Sequence, residues 1–416
     1  MYTDGEFRGR RMYARLSRVD SISDPRRSRT YSYEFDAIEV GFRFWPDRNF
    51  LKRTHYDEFA LLRIEASKER LRRTFGFVPA PGQWCMLETS PAVSSGRVLP
   101  CLQAQRTQTG YSELSSGFLH DIRSLEPEEG GPKMPKAPLS AGVVPREALP
   151  DLLRKMGDIL LVRRSGRKSI ERLLQQIDRP TQVIVRDVGQ ASFSELIDAK
   201  KRTSAFFDVG TPTAFNKRTV PAGFLPRRVN ASDSACVIIS HFDMDHFHAA
   251  LQNPDLQKLH WIVPQQKLGP GASEIVAQMI LNKRLHIFDG RAISFPGGTL
   301  DRAAGRSGRN ETGLVLRAAL QSDRSVLLCG DASYSNIPRA MKAGVDRLVA
   351  SHHGSKTSGN PPRAPAGGTC IVSCGRRNAY GHPHAAARKA HRLQGWGDMQ
   401  ETCATRHGRR GDRIIS

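Results

Sequence analysis

The segment His241-Phe242-Asp243-Met244-Asp245-His246 puts four residues of metal-ligating type into six positions, directly after the apolar run Cys236-Val237-Ile238-Ile239. Clustered imidazoles and carboxylates without an ion leave repulsion and desolvation uncompensated, so the spacing predicts a metal site at the end of a buried strand. Alternate positions 241, 243 and 245 can meet one ion, while the adjacent Asp245-His246 pair turns toward a second. Two more apolar runs end in the same manner. Val326-Leu327-Leu328-Cys329 leads into Gly330-Asp331, and Arg347-Leu348-Val349-Ala350 leads into Ser351-His352-His353-Gly354-Ser355-Lys356-Thr357. Loops at strand ends are where a rigid scaffold presents chemistry. Neighbours on an extended segment face opposite ways, so His352 and His353 both stand as candidates.

The chain resembles the metallo-β-lactamase superfamily and, within it, the nuclease-like domain of the ComEC competence proteins, over about residues 181 to 405. Val183-Ile184-Val185-Arg186-Asp187-Val188-Gly189-Gln190 is similar to the opening DVGQG segment, and Ala205-Phe206-Phe207-Asp208-Val209-Gly210 to the second strand with its Asp-x-Gly turn. Asn310-Glu311-Thr312-Gly313-Leu314-Val315-Leu316 resembles the strand before the GD motif, and Ala379-Tyr380-Gly381-His382-Pro383-His384 the terminal YGHP signature. The resemblance implies an α+β fold, the four-layer αββα sandwich. It implies metal ligation by His241 and Asp243 at one site, by Asp245 and His246 at the other, with Asp331 bridging and His352 or His353 completing the second. There are two departures. The stretch Arg309-Asn310-Glu311-Thr312 offers no histidine where the wider superfamily has one, which leaves one site short of a ligand and suits Mn²⁺ at least as well as Zn²⁺. Ala191-Ser192 stands where the family has Gly-Asp.

Such a ligand set implies one or two divalent ions and hydrolysis by an activated water, with Asp245 and Asp331 at the centre of the chemistry. Ser355, Lys356 and Thr357 supply hydroxyls, amides and an ammonium suited to an anionic phosphate. By resemblance His382 reaches the site, to contact the phosphate or protonate the leaving oxygen. His260, His286 and His384 are assigned structural roles, and His248 is expected to face elsewhere. The expected activity is that of a phosphodiesterase on nucleic acid or nucleotides. The alternatives are a metallo-hydrolase of another phosphoester, a lactone or a thioester, or a partner-regulated effector of a defence or stress system.

Sixty-three basic against 41 acidic residues give a net charge of +22, which favours a polyanionic partner. Arg outnumbers Lys 48 to 15, a bias that GC-rich coding also produces. Basic residues cluster at the amino end, around Arg163 to Lys168, and at the carboxyl end (Arg406, Arg409, Arg410, Arg413), where they read as exposed tails. Seven cysteines without a CxxC pair read as buried apolar residues in a reduced compartment. No secretory signal and no membrane-length apolar stretch is present, so a cytoplasmic protein without membrane association is expected.

The expected organisation is a basic disordered arm (1–30), a small α/β region of unassigned function (31–125), a Pro/Gly-rich linker (126–150), connecting helices (151–180) and the hydrolase domain (181–416). The 31–125 region is a candidate surface for a protein partner. Tyr31 to Phe44 alternates as strand, whereas Phe59 to Leu71 reads as helix.

Overall fold

The computed structural model describes residues 6–22, 29–40, 58–93, 98–107, 110–125, 158, 160, 165–222, 224, 230–288, 290–404 and 410–416. The linker expected at 126–150, and most of the segment expected as a first connecting helix, lie outside the described residues. The chain divides into two compact units, Met1–Val162 with Lys267–Gln278, and Arg163–Gln266 with Met279–Ser416.

The first unit is built on β1 (Arg11–Ser21), β2 (Thr30–Glu39), β3 (Phe59–Ser67), β4 (Trp84–Ser90), β5 (Leu99–Thr107) and β6 (Gly110–Ser124). These close into a barrel in the order β1-β2-β3-β5-β6-β4, every pairing antiparallel. Alternate residues point inward, among them Met12, Ala14, Leu16, Tyr33, Phe35, Ala37, Leu62, Ile64, Cys85 and Leu87. Two sequence expectations are corrected here. The amino-terminal basic segment is not a free arm over 11–21, because its arginines alternate with apolar residues at the period of a strand, and β1 pairs with both β2 and β4. Phe59 to Leu71 is not one helix: it is strand to Ser67 and only then helix α1 (Lys68–Phe75). An apolar run such as Phe59-Ala60-Leu61-Leu62 satisfies both periods, and pairing with β2 and β5 decides for strand. Ser67 Oγ then accepts from Arg70 N (3.1 Å), which starts the helix. Residues 267–278 belong to this unit as well. Gly271 N donates to the Asp36 carboxylate (2.9 and 3.0 Å), and Glu274 pairs with Arg106 at 3.4 Å, both side chains buried.

The second unit holds two seven-stranded sheets. The first comprises β7 (Gln182–Val185), β8 (Phe193–Ile197), β9 (Thr203–Val209), β10 (Ala231–Ile238), β11 (His260–Pro264), β12 (Leu285–Phe288) and β20 (Arg413–Ile415), in the order β12-β11-β10-β9-β8-β7-β20. The second runs in sequence order through β13 (Ile293–Phe295), β14 (Gly298–Arg302), β15 (Leu314–Ala319), β16 (Ser325–Leu328), β17 (Arg347–Val349), β18 (Thr369–Val372) and β19 (Asp398–Glu401). One apolar cluster joins the two sheets, with Val183, Val185, Leu196, Phe207, Ile238 and Ile262 from the first and Leu300, Leu316, Val326, Leu328 and Ile371 from the second. The opposite face of the second sheet buries Val315, Leu327, Leu348, Cys370 and Val372 with Met341 and Trp396. Covered on both faces, β16 reads as an unbroken apolar run.

The described part of the segment leading into this unit forms α2 (Arg167–Leu174), whose Ile170 and Leu174 enter the inter-sheet core. The carboxyl-terminal basic residues that are described are not a loose tail. Arg410 grips Asp187 through Nε (2.6 Å) and Nη2 (3.0 Å), and Arg413 lies in β20, donating to the Glu401 carbonyl (2.7 Å). Among the described residues no helix is long and apolar enough to cross a membrane.

His260 and His286 sit on adjacent strands in a relay with one consistent set of protons. Arg284 Nη1 donates to His260 Nε2 (2.8 Å), leaving His260 Nδ1 to donate to His286 Nε2 (2.9 Å) and His286 Nδ1 to donate to Ser169 Oγ (3.4 Å). Both rings are therefore neutral. Burial, reinforced by His260, brings His286 down to about 4 from the usual 6.5. The unfolded chain takes up this proton near pH 6.5 and the folded one only near 4, so stability falls as pH drops through that window. In urea unfolding the His286→Phe variant is expected to lose less stability than wild type between pH 7 and pH 4. Equal losses would contradict the relay.

Candidate metal centre

The ligand loop is positioned by a buried carboxylate that sequence reasoning left without a role. Asp208, at the end of β9 with φ 58°, accepts from Ser240 N (2.7 Å), Ser240 Oγ (2.8 Å) and His246 Nδ1 (2.7 Å). Ser240 Oγ, its own proton given to Asp208, is left to accept from His241 Nδ1 (3.0 Å). Asp243 then starts the short helix Met244–Phe247, whose first turn carries Asp245 and His246. Gly210 fits the same corner: a Cβ there would come within 1.7 Å of the Asp245 carbonyl oxygen. This explains why the Asp-x-Gly turn ends in glycine.

Asp331 follows Gly330 at the end of β16, and the two histidines follow β17. His352 and His353 have φ of 50° and 53°, so the segment is not extended and the rule that neighbours face apart does not hold. Both rings turn toward Asp331, with His352 Nε2 3.4 Å from Oδ2 and His353 Nε2 3.9 Å from Oδ1. His353 is the more deeply set. Its Nδ1 donates to the Ser373 carbonyl (2.9 Å), and its Nε2 lies 3.3 Å from Asp245 Oδ2.

Three imidazoles thus spend their Nδ1 protons on Ser240, Asp208 and Ser373, which leaves the Nε2 lone pairs of His241, His246 and His353 directed inward. Those three Nε2 atoms and both carboxylate oxygens of Asp331 are buried with no hydrogen-bond partner among the described residues. His246 Nε2 is 3.2 Å from Asp331 Oδ1, and His241 Nε2 is 3.8 Å from Asp331 Oδ2. Lone pairs meeting at these distances require a cation between them. Ligand atoms of His241, His246 and Asp331 lie within 4.8 Å of one another, as do those of Asp245, His246 and His353. The residues present therefore fit a divalent ion.

The charges lean the same way. Burial alone would raise the Asp331 carboxyl, yet His352, His246 and His353 hold it well below the usual range. Burial would lower His246, yet Asp331 and Asp208 raise it well above its ordinary value. Without an ion this cluster holds a proton.

Of the other expected residues, Asp243 falls in neither grouping, and Arg309 lies against it. His382 is buried beside the cluster, its ring centroid 5.7 Å from that of His352. Gln190 sets its tautomer. Gly375 N donates to Gln190 Oε1 (3.0 Å), so Gln190 Nε2 faces His382 Nδ1 (3.2 Å), and the ring proton is on Nε2. Ser355 N donates to the His352 carbonyl (2.8 Å), and Lys356 is exposed. His248 turns away to Thr211, its Nδ1 3.2 Å from the Thr211 carbonyl.

All seven cysteines are buried and free. Cys374 and Cys403 meet at 3.1 Å beside Glu401, a pairing with no signal in sequence spacing. Two thiolates about 2.3 Å from one tetrahedral ion would stand about 3.8 Å apart, so this contact is a thiol hydrogen bond.

No family model and no curated protein matches the chain. Among solved structures the chain is similar to Zn²⁺-bound PqqB from Methylobacterium extorquens, with a TM-score of 0.32 and 10% identity over 56% of this chain and 99% of that one. At this score the likeness bears no weight for fold or function.

Asp208→Asn keeps the shape of the anchor and weakens its hold on the His246 proton. Metal affinity measured by competition with a chelating dye is expected to fall about 10- to 100-fold. An unchanged affinity would remove Asp208 from the support of the centre.

Proposed function

We propose that the second unit is a metal-dependent hydrolase of the metallo-β-lactamase superfamily, its two sheets forming the inner layers of an αββα sandwich, and that it cleaves phosphodiesters of nucleic acid or nucleotides. The observation that carries the metal assignment is the convergence of three oriented imidazoles and the Asp331 carboxylate, all with unsatisfied buried lone pairs, at the ends of β10, β16 and β17. Asp245, His246, Asp331 and His353, with His241 adjacent, would hold a divalent ion, which would supply the Lewis acidity that ionises a water near neutral pH and offsets charge on the substrate oxygen.

The chain's own groups divide the remaining work. Asp208, Ser240 and the Ser373 carbonyl hold the rings so that little reorganisation accompanies turnover. His382, kept by Gln190 with its proton on Nε2, donates that N–H as a hydrogen bond to the phosphate at the leaving oxygen. Ser355, Lys356 and Thr357 follow His353 after Gly354 and receive the phosphate, the ammonium of Lys356 as a point charge. A net charge of +22 favours a polyanionic substrate over a neutral lactone or thioester.

The purified full-length chain, loaded with Mn²⁺ or Zn²⁺, is assayed on labelled single- and double-stranded DNA and RNA and on a small chromogenic phosphodiester. Metal-dependent release is expected, abolished in Asp331→Ala and lowered about 10²- to 10³-fold in kcat in His382→Ala with metal content unchanged. Bound metal with release from lactone or thioester probes alone would transfer the reading to that substrate class. Activity indifferent to Asp331→Ala would overturn it.

A further inference from the structure

Arg309 is buried, and its guanidinium ends against the ligand loop. Nη1 donates to the Phe242 carbonyl, and Nη2 lies 3.2 Å from Asp243 Oδ1. Gln266 ties the two segments from behind: its Nε2 donates to the Arg309 carbonyl (2.6 Å) and its Oε1 accepts from Phe242 N (3.3 Å). A guanidinium does not lose its proton in a protein, so a full positive charge stands permanently at Asp243.

That charge borders one half of the cluster. Asp243 Oδ2 is 3.4 Å from His241 Nε2, so these two residues form one pocket, with Arg309 against its carboxylate. Asp245, His246 and His353 form the other, with Asp331 in reach of both. His246 serves only one of them. Its Nδ1 is committed to Asp208, which leaves a single lone pair at Nε2, and the two groupings that share His246 cannot both be filled as complete triads. Without His246 the first pocket retains His241, an oxygen of Asp331, and an Asp243 carboxylate whose other oxygen already faces a cation. A second divalent ion there would meet fewer ligands and a fixed like charge.

We infer that the Arg309 guanidinium answers the charge of the His241–Asp243 pocket in place of a second ion, so that the centre takes one divalent cation, held by Asp245, His246, Asp331 and His353. This rests on the metal-centre reading above and narrows it from one or two ions to one. His241 and Asp243 then border a single-ion site as buried polar groups.

The test is ion stoichiometry in the full-length chain, stripped with chelator, titrated separately with Mn²⁺ and Zn²⁺, and followed by native mass spectrometry and by metal content after desalting. Wild type is expected to saturate at one ion per chain. Arg309→His, which removes the charge and adds an imidazole, is expected to take two. Arg309→Lys, which keeps the charge, should remain at one, and Arg309→Met should bind a second ion at least about tenfold more tightly than wild type does. Two ions of comparable affinity in wild type would overturn the inference while leaving the metal centre standing. So would a single ion in an Arg309→His variant that melts like wild type. No bound ion in wild type would overturn the metal reading itself, and this inference with it.

Discussion

The centre of the second unit depends on one constraint: imidazole and carboxylate lone pairs brought together out of water must share a cation. His246 Nε2 and Asp331 Oδ1 at 3.2 Å cannot both present lone pairs to an empty space. The surrounding structure is organised to keep them there nonetheless. Three Nδ1 protons are spent on Ser240, Asp208 and a backbone carbonyl, which fixes the rings and turns their remaining lone pairs into the cluster around Asp331. The direction of the pKa shifts at His246 and Asp331 expresses the same demand, since the cluster holds a proton when nothing else supplies the charge.

Holding such a site takes a scaffold that does not relax. The candidate ligands come from both sheets: the loop after β10 on the first, and the ends of β16 and β17 on the second. The apolar cluster between the sheets fixes these strand ends relative to one another, and close-packed interiors yield little. Glycines mark where backbones approach most closely. Gly210 lies against the Asp245 carbonyl and Gly330 against Ser240, whose Cβ would be 2.5 Å from an added methyl. A side chain at either position would displace a ligand.

The ligand types and their strand-end placement were legible in the sequence because both depend on local pattern. An apolar run followed by His, Asp or Gly-Asp is written in consecutive residues. Arg309 was legible only as a missing histidine; that its guanidinium reaches Asp243 is set by Gln266, 43 residues away. The barrel was misread for a related reason. Phe59-Ala60-Leu61-Leu62 fits helix and strand alike, and a basic amino-terminal segment looks solvated until its alternate residues find a barrel interior.

Sequence alone determined which chemistry this chain could carry: the donor set, its attachment to buried strands, and the glycine turns that admit it. Tertiary structure alone decided how those donors are used. Left-handed backbone at His352 and His353 turned both rings toward Asp331, against the alternation an extended segment imposes. Asp208, more than 30 residues from His246, became its anchor. The pairing of Cys374 with Cys403, and of Gln190 with His382, came from strands and loops distant in sequence. The physical reason is common to all of these. Residue type and spacing set what a side chain can do, but a lone pair's direction and a proton's location depend on partners that only the folded chain brings within 3 Å or so.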